Sequence, residues 1–226
     1  MNKMTTNEKR AKQRKLLNRY IDRPVTFLIK HNISPNHLSF LGFLCSLSAA
    51  FFVAIGIVHC PVWISWLAPF FMFWAGVFDI FDGEVARRTK GESHSGAFLD
   101  SNLDRLSDAI IVVGLIYGNL IDYILGFIII FLIVMIPYTR SRAENEGLDM
   151  KGVGLMERAE RSIYIMILLS FESWIYFLTL VILGTPFILF FLVGIWIFMA
   201  LLILTLIQRV AFTYRSLRKT KNKGIK

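Results

Sequence analysis

Between residues 79 and 104 the chain sets acidic groups at helical intervals: Asp79-x-x-Asp82-Gly83-x-x-Ala86-Arg87, eight further residues, then Gly96-x-x-x-Asp100-x-x-x-Asp104. Long apolar runs flank this stretch on both sides. An ionised side chain deep in a bilayer costs roughly 2.5–3.5 kcal/mol on insertion scales, so four carboxylates there call for a compensating cation and a function. An all-oxygen ligand set points to a hard divalent ion, Mg²⁺ or Mn²⁺, and four negative charges suit two ions better than one. Asp79, Asp82, Asp100 and Asp104 are the candidate ligands. Paired divalent ions clamp the oxygens of a phosphoryl group during in-line displacement, and an arginine such as Arg87 can hold a phosphate in bidentate geometry. The chemistry expected is therefore metal-dependent phosphoryl transfer at a membrane. The competing reading is that these carboxylates pair with Arg87, Arg88 and Arg105 for helix packing alone.

Such chemistry needs two helices to present the residues. On the first, Ala75, Asp79, Gly83 and Arg87 recur four apart with Asp82 and Ala86 beside them. On the second, Gly96, Asp100, Asp104 and Asp108 do the same, drifting about 40° per step because the true repeat is 3.6 residues. If the two faces meet at one end of the helices, the carboxylates converge, and the glycines permit close approach of a ligand or a neighbouring helix.

The composition fixes the solvent. Hydrophobic residues make up 55% of the 226 and phenylalanine alone contributes 20, too apolar for a water-soluble domain of this size. The two cysteines, Cys45 and Cys60, have no metal-ligand or paired spacing. No cleavable signal peptide is expected, because the first thirty residues are basic with only short apolar clusters, and the first spanning helix would serve as insertion signal.

All 25 Lys and Arg residues fall in four blocks, Lys3 to Lys30, Arg87 to Arg105, Arg140 to Arg161 and Arg209 to Lys226. The three gaps between them, 31–86, 106–139 and 162–208, can each hold two spanning helices. The hairpin tips inside the gaps lack Lys and Arg, so the positive-inside rule puts every basic block and both termini on the cytoplasmic side. The fold class expected is all-α: a polytopic membrane protein with six transmembrane helices near 36–57, 61–88, 94–118, 121–146, 156–182 and 187–213. The middle gap is short, and it works only if the third helix starts near residue 94 and carries Asp100, Asp104 and Arg105 in its cytoplasmic half. Gly42, Ser46 and Ala50 form a small-residue stripe for close packing of the first helix. Before it, Leu16, Leu17, Tyr20 and Ile21 gather on one side of a basic segment, giving an interfacial amphipathic helix within residues 1–30. Residues 31–213 then form the catalytic transmembrane domain and 214–226 a basic cytoplasmic tail.

The whole element, D-x-x-D-G-x-x-A-R, eight residues, G-x-x-x-D-x-x-x-D, resembles the signature of the CDP-alcohol phosphotransferase family, with every fixed position present. The resemblance extends to the six-helix layout, the preceding interfacial helix and the Ser34-Pro35-Asn36-His37-Leu38-Ser39 stretch. It implies transfer of a phosphatidyl-type group from a CDP-activated lipid to an alcohol, with release of CMP. By that resemblance Asp79, Asp82, Asp100 and Asp104 hold two Mg²⁺ or Mn²⁺ ions, and Asp82, Gly83, Ala86 and Arg87 line the CMP moiety. It also makes Asp104 the general base, and it implies a homodimer in the membrane of a prokaryote.

The third basic block bears on the acceptor. Arg158 and Arg161 lie three apart, hence on one helical face, and an alcohol that already carries a phosphate would be held by such a cluster better than an amine alcohol. The block resembles the R-x-R-A-E and E-R-x-E-R elements of the phosphatidylinositol phosphate and archaetidylinositol phosphate synthases within the family. That implies Arg140, Arg142, Arg158 and Arg161 as acceptor-phosphate residues and myo-inositol 1-phosphate as acceptor. Glycerol 3-phosphate and serine remain open as acceptors, and the arginines could instead serve topology, or Glu157 could pair with Arg161. Two readings of other kinds also stay open, a divalent-cation transporter and an inactive scaffold. The excess of basic residues is assigned to the membrane, with no nucleic-acid partner.

Overall fold

The computed structural model describes residues 21–89, 93–185 and 189–223. Residues 21–30 form helix α1, followed by α2 (Pro35–Ala54), a 3₁₀ turn (Ile57–His59), α3 (Val62–Ser65) and α4 (Leu67–Thr89). Then come α5 (His94–Tyr117), α6 (Tyr123–Asn145), α7 (Arg158–Leu183) and α8 (Leu189–Lys223). No strand occurs among the described residues.

The helix limits have local causes. Ser34 accepts from the His37 amide with Pro35 in the first turn of α2, Ser93 accepts from Gly96 at the start of α5, and Asp122 accepts from Ile124 at the start of α6. Gly184, in the left-handed region at φ 69°, closes α7. Each long helix falls within a few residues of the expected span, except at the last. There α8 continues through Lys223 instead of stopping near 213, because the Arg- and Lys-rich stretch after Phe212 holds good helix formers and no glycine or proline before Gly224. The expected tail is thus largely an extension of the final helix.

Among the described residues, five segments are long and apolar enough to cross a membrane: Pro35–Ala54, Val62–Thr89, Tyr123–Asn145, Arg158–Leu183 and Leu189–Arg218. The sixth expected span, α5, has the length at 24 residues but carries Asp100, Asp104, Arg105 and Asp108 in its first half. It begins at His94, as the short middle gap requires. Trp63, Trp66, Tyr117 and Tyr123 are exposed at the ends of these helices remote from the acidic motif, where amphipathic rings suit a membrane interface.

The small-residue stripe of α2 does what its spacing predicts. Gly42, Ser46 and Ala50 are all buried, with α4 and α5 packed against α2. A Cβ on Gly114 of α5 would lie 2.6 Å from the Ala50 carbonyl oxygen, and one on Gly118 would lie 2.4 Å from that of Val53. Ile21 and Val25 of α1 bury against Leu38 of α2 and Val85 of α4, so α1 docks at the motif end. The rest of the expected amphipathic segment, including Leu16, Leu17 and Tyr20, lies outside the described residues.

Gly114→Ala should therefore lower the thermal stability of detergent-solubilised protein by about 1–3 kcal/mol, the usual cost of forcing an extra carbon into a filled contact. Gly76→Ala, with nothing within 4 Å of the added carbon, should be neutral or stabilising by up to ~1 kcal/mol. Tryptophan-fluorescence melting of the two variants checks this, and equal melting points would contradict the packing assigned to α2 and α5.

Candidate functional site

The second half of α4 and the first half of α5 bring the acidic motif together. Asp79, Asp82 and Asp100 each offer a carboxylate oxygen within 4.8 Å of the others. Asp82 is buried at 6% exposure, and the Ser39 hydroxyl of α2 donates to its Oδ2 at 2.8 Å. Asp104 lines the same small cavity, about 10 Å³ in volume, with Ser39, Ser107 and Arg158. Three ionised carboxylates at this separation repel by roughly 3 kcal/mol per pair at an effective dielectric of about 20. The donor set is wholly oxygen and the space is that of one small ion or water, so these residues fit a hard divalent cation such as Mg²⁺ or Mn²⁺.

The fourth motif aspartate is held differently. Arg158, the first residue of α7, donates through Nη1 to Asp79 Oδ1 and through Nη2 to Asp104 Oδ1, the latter at 2.8 Å. Its buried Nε has no partner. One turn on, Arg161 donates to Asp108 Oδ2 through Nε at 3.1 Å and Nη2 at 2.6 Å, both side chains being buried. The cations that answer the motif therefore come from α7. Pairing with Arg87, Arg88 or Arg105 is not what occurs: Arg87 and Arg88 share Glu84, and Arg105 turns back to Ser101 on its own helix. Nor does the Arg161 side chain pair with Glu157.

The remainder of the motif faces outward. Arg87 bonds Glu84 at 2.7 Å with its side chain half exposed, and Arg88 continues to Asp22 of α1 at 2.5 Å. A Cβ on Gly83 would meet only the Arg87 guanidinium, at an ordinary 3.5 Å, so no packing contact demands glycine there. The bare backbone beside Asp82 is free to admit a ligand.

A second cluster is basic. Arg140 pairs with Glu144 at 2.9 Å and Arg142 with Glu146 at 2.8 Å, exposed i,i+4 pairs of small energetic weight. Arg209 of α8 is buried at 3% exposure and donates to the carbonyls of Val153 at 2.9 Å and Ile136 at 3.0 Å. It lies within electrostatic reach of both Arg140 and Arg161. Guanidiniums from α6, α7 and α8 thus gather together, with Glu144 and Glu157 also in reach of Arg209, and with Arg161 paired with Asp108. Sequence reasoning missed Arg209, which opens the last basic block and looks like a topological charge, and Ser39, whose pairing with Asp82 spans 43 residues. Beside the carboxylate cluster opens a cavity of about 390 Å³. Asp79, Asp108 and Arg158 form its polar end, and Met72, Phe73, Ile80 and Met166 line its apolar flank.

Comparison with known proteins follows the same lines. The family model described as CDP-alcohol phosphatidyltransferase matches residues 32–213. The archaetidylinositol phosphate synthase of Pyrococcus horikoshii is 36% identical over 141 residues, 62% of this chain and 71% of that protein. The phosphatidylinositol phosphate synthase of Streptomyces avermitilis is 32% identical over 200 residues, 84% of this chain and 75% of that protein. Among solved structures, the phosphatidylinositol phosphate synthase of Mycobacterium tuberculosis in complex with manganese and citrate superposes with a TM-score of 0.68 at 24% identity. The match covers 85% of this chain and 88% of that one, and it establishes a shared fold.

Mn²⁺ should raise the melting temperature of the protein, and Asp82→Asn or Asp100→Asn should remove that rise. Ser39→Ala, which frees the Asp82 carboxylate to rotate, should weaken Mn²⁺ binding by about 10-fold to 100-fold while leaving the metal-free melting point nearly unchanged. Full Mn²⁺ stabilisation in Asp82→Asn would contradict the site.

Proposed function

The chain belongs to the CDP-alcohol phosphatidyltransferase family, and from that premise we propose that it transfers a phosphatidyl-type group from a CDP-activated lipid to myo-inositol 1-phosphate. The products are an inositol phosphate phospholipid and CMP. The observation that carries this reading is the pairing of two clusters of opposite sign, the carboxylates of Asp79, Asp82, Asp100 and Asp104 and the guanidiniums of Arg140, Arg161 and Arg209, with Arg158 between them. An acceptor that brings its own phosphate would give Arg140 and Arg209 an anion to share, their present partners being the exposed Glu144 and two backbone carbonyls; serine would not. The inositol phosphate named for the relatives supports the same acceptor.

Asp79, Asp82, Asp100 and Asp104 would hold divalent cations, of which their cavity as it stands has room for one; when bound, these would neutralise the donor diphosphate and stabilise CMP as leaving group. Gly83 and Ala86 would let the nucleotide approach the α4 backbone, while Arg87 would exchange Glu84 for a phosphate oxygen. The lipid portion of the donor would lie in the cavity that runs from Asp79 and Arg158 along Phe73, Ile80 and Met166. Arg140, Arg161 and Arg209 would seat the acceptor phosphate, with Arg142 at the rim. Arg158 contacts Asp104 through Oδ1, leaving Oδ2 to take the proton from the attacking hydroxyl. The acceptor oxygen forms a bond to the phosphorus that carries the lipid, the bond from that phosphorus to the CMP oxygen breaks, and CMP leaves with the electron pair.

Charge supports a placement in the cell. By the positive-inside rule the four Lys- and Arg-rich blocks would put both clusters on the cytoplasmic face, with α5 as the sixth span and residues 31–213 as the catalytic unit. The source would be a prokaryotic plasma membrane, and the working unit a homodimer.

The test is CMP release by purified protein with Mg²⁺ or Mn²⁺ and diacyl or dialkyl CDP-lipid, offered inositol 1-phosphate, glycerol 3-phosphate, serine or no acceptor. Inositol 1-phosphate should give the fastest release; preference for serine or for glycerol 3-phosphate would overturn the acceptor assignment. Asp104→Asn should lower kcat by about 10²–10⁴-fold with CMP binding retained. Arg140→Gln should raise KM for the phosphorylated acceptor by about 10-fold and leave KM for the donor unchanged, the loss expected for one charge-assisted hydrogen bond. Metal uptake without any CMP release would favour transport instead.

A further inference from the structure

The two arginines that join the clusters sit in the first turn of α7, yet that turn has little local support. The residue before α7, Glu157, makes no side-chain capping bond. The preceding loop contains Gly147, Gly152 and Gly154, all in the left-handed region at φ 80°, 72° and 108°. Glycine-rich backbone of this kind does not hold a helix start in place by itself.

The support comes from α8. The Met156 amide donates to Thr205 Oγ1 at 3.0 Å, with Thr205 fully buried. The single hydroxyl proton of Thr205 is committed to the Leu201 carbonyl at 2.8 Å, so its lone pair faces Met156. A Cβ on Gly154 would lie 2.8 Å from Thr205 Cγ2 and 3.1 Å from Arg209 Nε, so the loop backbone rests directly on α8. Arg209 fastens the neighbouring Val153 carbonyl.

We propose that Thr205 is a positioning residue for the transfer reaction: by accepting the Met156 N–H it fixes the first turn of α7 and thereby the placement of Arg158 and Arg161 against the carboxylates of α4 and α5. No atom of Thr205 needs to touch a substrate. The kinetic consequence rests on the function proposed above; the structural consequence does not.

Thr205→Val keeps the side-chain shape and the contact with Gly154 but leaves the buried Met156 amide without an acceptor, whereas Thr205→Ser keeps the hydroxyl. The valine variant should raise KM for the acceptor by about tenfold with KM for the donor within about twofold of the parent. It should also speed amide hydrogen exchange across residues 153–162, and serine should restore both properties. Parental kinetics and exchange in the valine variant would overturn the proposal. So would a serine variant as impaired as valine, which would assign the effect to packing, or equal rises in both KM values, which would assign it to general loosening. If the parent releases CMP with no phosphorylated acceptor, the acceptor reading fails, and the exchange comparison still decides whether Thr205 holds α7.

Discussion

The guanidinium of Arg158 is shared between Asp79 on α4 and Asp104 on α5, and Arg161 repeats the link one turn later to Asp108. Removing one partner of a buried ion pair typically costs 3–5 kcal/mol, so the buried Arg161–Asp108 pair fixes α7 against α5, while the partly exposed Arg158–Asp79 link to α4 is weaker. These pairs leave the charge unbalanced. Among the described residues, Arg158 and Arg161 are the guanidiniums that pair with the group of Asp79, Asp82, Asp100, Asp104 and Asp108, an excess of three negative charges when every carboxylate is ionised. Such an excess beside a bilayer is costly, and divalent cations would supply the missing positive charge.

What makes such a charged arrangement sustainable is a rigid apolar frame around it. The backbones of α2 and α5 come so close at Gly114 and Gly118 that neither position has room for a single added carbon. Ser39, near the start of α2, then reaches Asp82 from a fixed direction. On the far side, α8 carries Thr205 and Arg209 against the loop that leads into α7. The carboxylates and the guanidiniums are thus presented by separate helices whose spacing is set by apolar packing, the arrangement that would keep reacting groups in register.

Much of this was legible in the sequence, and for identifiable reasons. The helix ends were readable because charge gaps, caps and prolines mark them; the start of α5 at His94 followed from the shortness of the gap at 106–139. The aspartates were readable because carboxylates in an apolar stretch are costly. The partners were not readable. Asp79 and Arg158 are separated by 79 residues, and nothing in a periodicity selects one arginine of a basic block over another, so the competing structural reading could name only the nearer Arg87, Arg88 and Arg105. Arg209 and Ser39 were hidden for the same reason, each acting across helices that meet only in three dimensions. The end of α8 was misplaced because a basic run reads as a tail, while its residues favour helix.

The central claim is that the carboxylates of α4 and α5 hold divalent ions against the diphosphate of a CDP-activated lipid. Pulsed electron paramagnetic resonance on the Mn²⁺-loaded protein addresses it without turnover, by reading the coupling between the metal and nearby phosphorus nuclei. The account predicts ³¹P coupling that appears when the CDP-lipid is added, persists without any acceptor and vanishes in Asp82→Asn. Mn²⁺ bound by the parent protein with no ³¹P coupling to added donor would contradict it.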